Sequence, residues 1–144
     1  MPAEINFYQV DETIIKSLAP LLLKVLDEKK KALVFCENPA QIKEIDGALW
    51  TYGRNKFIPH VTIEDKEFVM ERQPILITNR EENSNNADYL VFLNAPSDGF
   101  VQGFARVFYF FEESGLENAK KIAKKIKPTN SYKKEDGKWI KSSL

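Results

Sequence analysis

The strongest constraint on this chain is a set of short segments in which hydrophobic residues follow one another almost without a break. They are Ile5–Val10, Ala32–Cys36, Ile75–Thr78, Asp88–Asn94 and Phe104–Phe111, all rich in β-branched or aromatic residues. A strand with one wet face alternates apolar and polar side chains, so a strand without alternation has no wet face. These segments predict a sheet covered on both sides.

The covering layers are readable between the strands. Residues 12–30 place Ile14, Ile15, Leu18, Leu21, Leu22, Val25 and Leu26 at helical spacing, and Pro20 predicts a kink there or the true first turn. The next helix carries better start signals. Asn38 suits the N-cap, Pro39 the first helical position and Gln41 a capping box, and Ile42, Ile45 and Leu49 form its apolar stripe. At about 100° per residue Trp50 falls roughly 80° from Ile42, beside that stripe. A third helix is expected from Ser114, with Glu117 completing Ser-x-x-Glu, Leu116, Ala119, Ile122, Ala123 and Ile126 facing inward, and Pro128 ending it. Strand, helix and strand in succession predict a right-handed βαβ unit and a partly parallel sheet. Residues 80–87 read as a polar loop. With 144 residues and no repeat or linker, the expectation is one α/β domain over 1–144.

No run of about 18 apolar residues predicts a membrane span, and MPAEINFYQVDE lacks the pattern of a secretory signal. A single cysteine forms no internal disulfide, and a cytoplasmic location is expected. Net charge is zero but unevenly spread. Residues 115–144 hold nine Lys against three acids, a net of +6, leaving −6 on residues 1–114. Such a basic segment either faces an anionic partner or is a solvated lysine-rich helix.

Enzyme readings find little support. The turn after the first strand reads QVDETII, without the glycines that bring backbone N–H groups to a phosphate, and no GxGxxG or Walker loop occurs elsewhere. One His and one Cys do not make a zinc site. No metal and no cofactor is therefore expected. The one enzymatic alternative is a small α/β enzyme using Cys36 as thiolate nucleophile with His60, set against Cys36 as a small buried hydrophobe. Zero net charge also argues against direct nucleic-acid binding. The segment Leu49–His60 gathers Trp50, Tyr52, Phe57, Pro59 and His60 at a helix exit. Such rings either cap a core or anchor a protein partner.

Glu44-Ile45-Asp46-Gly47-Ala48-Leu49-Trp50-Thr51-Tyr52, followed by Phe57-Ile58-Pro59-His60, resembles the signature of the chi subunit of bacterial DNA polymerase III. Asn6-Phe7-Tyr8, Ala32-Leu33-Val34-Phe35 with its following Cys, and Phe104–Phe111 stand in that family's order. Ser131–Trp139 is similar to the tail of its alphaproteobacterial branch. The resemblance implies a three-layer α/β/α domain, Rossmann-like with a mostly parallel sheet and no nucleotide site. It implies a non-catalytic accessory subunit of the clamp-loader assembly that binds the acidic C-terminal tail of single-stranded-DNA-binding protein. Carried over, Lys120 and Lys124 meet that tail. Trp50, Phe57, Pro59 and His60 form a patch for a second partner, the psi subunit or its equivalent or a helicase.

Overall fold

The five apolar runs are strands, and alternate residues of each supply two separate cores. The computed structural model describes residues 3–53 and 57–144. In chain order the elements are β1 (Glu4–Val10), α1 (Ile15–Asp27), β2 (Ala32–Phe35), α2 (Pro39–Trp50), β3 (Val61–Thr62), β4 (Ile75–Thr78), β5 (Tyr89–Phe92), α3 (Asp98–Val101), β6 (Arg106–Glu112), α4 (Leu116–Lys125), β7 (Asn130–Glu135) and β8 (Lys138–Lys141). The eight strands form one sheet in the order β3-β4-β2-β5-β6-β1-β7-β8. Neighbours are parallel throughout, apart from the antiparallel β7–β8 hairpin at one edge.

Leu33, Phe35, Leu90, Phe92, Val107 and Tyr109 point to one face, where Val101 of α3 and Ala119 and Ile122 of α4 close over them. Ala32, Val34, Cys36, Val91, Phe108 and Phe110 point to the other, under Leu18, Leu22 and Val25 of α1 and Ile42, Ile45 and Leu49 of α2. Both faces of the central strands are dry, which is why their sequences do not alternate. The result is the expected three-layer α/β/α architecture. Two buried asparagines add side-chain hydrogen bonds, one between strands and one from a loop to the sheet. Asn6 donates to the Val107 carbonyl at 3.2 Å and accepts from Asn130 at 3.0 Å. Asn85, in the polar loop of residues 80–87, donates to the carbonyls of Ala32 at 3.1 Å and Gln73 at 3.0 Å.

The start of α2 follows its sequence signals. Asn38 accepts from the Gln41 backbone N–H at 2.9 Å, and the Gln41 side chain accepts from the Glu37 N–H at 2.7 Å. Two other expectations are corrected. Pro20 does not mark the first turn of α1, which starts at Ile15: the helix runs through it, with Pro20 on the solvent side. Its missing N–H costs one hydrogen bond, offset by the buried stripe on the opposite side. Ser114 does not cap α4. It sits in a 3-10 turn, Gly115 occupies the cap position without a side-chain bond, and Glu117 pairs instead with Lys120 at 3.6 Å. The opening βαβ unit is also wider than expected, because β5 and β6 lie between β1 and β2 in the sheet.

Candidate partner-binding surfaces

Two surface features combine exposed apolar groups with named polar ones. The first forms where α2 ends. Ile42, Ile45 and Leu49 fix the helix against the sheet, and the phase of Trp50 then turns its indole outward, 57% exposed. Gly53, at φ +67°, lets the chain leave the helix in a left-handed turn. The segment returns through Phe57–His60 into β3, bringing Phe57, 64% exposed, to 5.6 Å from Trp50 between ring centroids. Of the two readings open for these rings, a core cap or an exposed anchor, the exposure of both does not fit a buried cap. Pro59 is half-buried beside them.

His60 has a different place. Its side chain is buried beneath Trp50, with ring centroids 4.9 Å apart. Nε2 lies 2.8 Å from Asp46 Oδ1 and Nδ1 lies 2.7 Å from the Ile58 carbonyl oxygen. The imidazole is thus a support for the patch rather than part of its exposed surface. Phe68 also lines this depression and is half exposed. Sequence reading missed it, because a lone phenylalanine in the polar run Glu64–Val69 carries no periodic signal.

The second feature is a groove between α4 and the segment leading into α3. Ala95, Pro96, Ile122 and Ile126 give it apolar walls, and Lys121 and Lys125 stand on its rim with Asp98 opposite. Lysines at i and i+4 share a helix face, so α4 displays two rows, Lys121 with Lys125 and Lys120 with Lys124. Only the first row borders the groove. The second is exposed, and Lys120 is engaged with Glu117.

Cys36 and His60 do not form a reactive pair. Cys36 is buried among the α1 and α2 side chains. Burial, with a smaller push from the Glu44 carboxylate, raises its thiol to about 12. The thiol therefore stays protonated at neutral pH, and both His60 nitrogens are taken up by other oxygens. No metal-binding cluster of His, Cys, Asp or Glu occurs among the described residues. No helix among them is long and apolar enough to cross a membrane.

The α/β sheet carries an aromatic patch beside α2 and β3 and a lysine-rimmed groove beside α4. The family model for the DNA polymerase III chi subunit, HolC, matches residues 1–129, and the chain belongs to that family. A probable DNA polymerase III subunit chi of Rickettsia prowazekii (strain Madrid E) is 29% identical over 128 residues, covering 83% of this chain and 74% of that protein. The DNA polymerase III subunit chi of Haemophilus influenzae is 29% identical over 110 residues, covering 73% of this chain and 75% of its own length. The corresponding Pseudomonas aeruginosa subunit is 35% identical over a shorter stretch of 72 residues, half of this chain.

Proposed function

We propose that this chain is a non-catalytic accessory subunit of DNA polymerase III that works in the cytoplasm as an adaptor between proteins. The α4 groove takes the acidic C-terminal tail of single-stranded-DNA-binding protein. The Trp50–Phe57 patch, stiffened from below by His60 and flanked by Pro59, docks a second partner, a clamp-loader subunit such as psi or a helicase. The observation that carries the first half is the pairing of Lys121 and Lys125 with the apolar walls of Ile122, Ile126, Ala95 and Pro96. A peptide with carboxylates followed by an apolar C-terminal residue needs those two kinds of group side by side. On this reading Lys120 and Lys124 form an outer row that attracts the tail at longer range, and Lys121 and Lys125 make the closer contacts.

Calorimetry with a synthetic peptide of that composition tests the assignment. Exposed ion pairs are worth roughly 0.2–1 kcal/mol each, so Lys121→Ala with Lys125→Ala should weaken binding by about 1–2 kcal/mol, on the order of tenfold. Lys120→Ala with Lys124→Ala should weaken it less, chiefly at low salt. If the outer pair has the larger effect, the groove is the wrong site; if neither pair matters, α4 is.

A further inference from the structure

We propose that a second groove, between α1 and the β7–β8 hairpin, binds single-stranded DNA. One bank is the solvent face of α1. Lys16, Pro20 and Lys24 recur there every four residues, so the two lysines stand two turns apart, about 12 Å along the axis. The other bank is the hairpin, which contributes Lys134 and Trp139. The floor is aromatic: Tyr8 of β1 with Phe108 and Phe110 of β6. Tyr8 stacks on Phe110 at 5.3 Å and on Tyr132 of β7 at 5.1 Å, and Trp139 stands edge-on to Tyr8 at 5.0 Å. Trp139 is 40% exposed, with the Lys134 ammonium 5.4 Å from its ring centroid, so an occupant stacking on the ring also meets that charge.

Charge supports the assignment. Residues 1–114 carry a net of −6, yet the main part of this groove is lined by three lysines and no carboxylate. Beyond Lys24 the groove continues to Arg106, Tyr89 and Glu28; there the guanidinium pairs with Glu4 at 2.7 Å. Lys16 has one exposed partner, Glu12 at 3.4 Å, a surface pair that a phosphate can replace at small cost.

The polar side chains lining the main section are those of Lys16, Lys24, Lys134, Ser17, Tyr8 and Trp139, with no carboxylate among them. A peptide brings one backbone N–H per residue, for which the side chains of this lining offer as acceptors the hydroxyls of Ser17 and Tyr8. A phosphodiester strand brings acceptors along its backbone for the lysine banks and flat rings that can stack on the exposed Trp139, while Phe108 and Phe110 are buried and give the floor its apolar character. A duplex fits poorly, because its bases are already stacked and paired. DNA rather than RNA follows from the family to which the chain belongs. Zero net charge counts against nucleic-acid binding only when charge is averaged over the whole surface; here the cationic stretch is local, bounded at the Lys134 end by a depression lined by Asp11, Glu12, Glu112 and Glu113. Trp139 and Lys134 lie beyond residue 129, where the family match ends, so this groove is partly built by sequence outside that match.

Anisotropy of a labelled oligothymidylate titrated with the full chain tests the proposal. The single strand should bind at low salt, and more tightly than a duplex of equal length or an oligouridylate. Trp139→Ala should weaken binding about tenfold, the loss of one stacking partner, and Trp139→Phe should recover most of it. Replacing Lys16, Lys24 and Lys134 together by Ala should flatten the salt dependence by about 0.7 per lysine. Lys43→Ala, on α2 away from the groove, should bind as the wild type does. If Trp139→Ala loosens the hairpin, the lysine variant still decides, because two of its three positions lie on the exposed side of α1. Absent binding, preference for duplex or for oligouridylate, displacement by polyglutamate as efficient as by oligothymidylate, or a lysine variant with an unchanged salt slope would each overturn the assignment.

Discussion

Asp46 shows how much of the aromatic patch depends on one buried contact. Its carboxylate satisfies Nε2 of His60, whose side chain has no exposed surface, and His60 in turn supports Trp50. Asp46→Ala leaves a buried ring nitrogen without its partner and should cost about 1–3 kcal/mol, measured by denaturant unfolding. Trp50→Ala should behave in the opposite way. The indole is more than half exposed, so the fold should lose little, while docking of the second partner should weaken by about 1–3 kcal/mol. Comparable losses of stability in the two variants would mean that Trp50 is a structural cap. Cys36 gives a separate test. Burial pushes its thiol up from the ordinary value of 9.0 to about 12, so its contribution to stability is complete below about pH 9 and is lost as the pH rises towards 12. Burial also raises Tyr8 and Tyr109, in the same direction. The unfolding midpoint should therefore fall on the alkaline side, and Cys36→Ala should make that fall shallower. Alkylation of Cys36 in the native protein should be slow at neutral pH and become fast on unfolding.

The elements differ in how plainly they are written, and the differences have physical reasons. The central strands stand out because both faces are buried and hydrophobicity needs no phase. The start of α2 stands out because Asn38, Pro39 and Gln41 each solve a local problem of unpaired N–H groups. β7 and β8 were illegible because NSYKKE and KWIK lie at the sheet edge, where exposure removes the apolar pattern. β3 is only two residues long, held by pairing with β4 rather than by its own composition. The false cap at Ser114 shows that a Ser-x-x-Glu match states a possibility, which the 3-10 turn after β6 overrides. The same limit applies to the surfaces: the outward turn of Trp50 was legible from helical phase, but which lysine row borders a groove depends on what the segment leading into α3 brings opposite. Pro20 offers a test at this scale. Proline inside a helix costs a hydrogen bond, and this one is exposed, so Pro20→Ala removes no core contact. The variant should raise the melting temperature, with a gain of about 1–2 kcal/mol after the greater freedom of its unfolded chain is counted. A lowered melting temperature would mean that the helix path needs the bend that proline imposes.

For the whole molecule, the order of the strands decides what the hairpin protects. β1 is long and apolar, with β6 on one side and β7 on the other. Without β7 it would become an edge strand presenting Ile5–Val10 and a row of unpaired backbone groups, the arrangement that invites pairing with another chain. β8 ends the sheet with Lys138 and Lys141, charges suited to an edge that must stay unpaired. The hairpin also gives Tyr8 two of its aromatic neighbours, Tyr132 and Trp139. It further supplies Asn130, which satisfies the buried Asn6 oxygen. A chain ending at residue 129 therefore keeps both helix-covered cores but loses a buried hydrogen bond, a ring cluster and its edge protection. It should retain helical circular dichroism, melt at a lower temperature than the full chain, and self-associate at concentrations where the full chain does not. Light scattering alongside thermal melts measures both effects. A truncated chain that melts as the full one does and stays monomeric would show that β1 needs no cover, leaving the hairpin free of any structural duty and the groove beside α1 as the remaining reason for its presence.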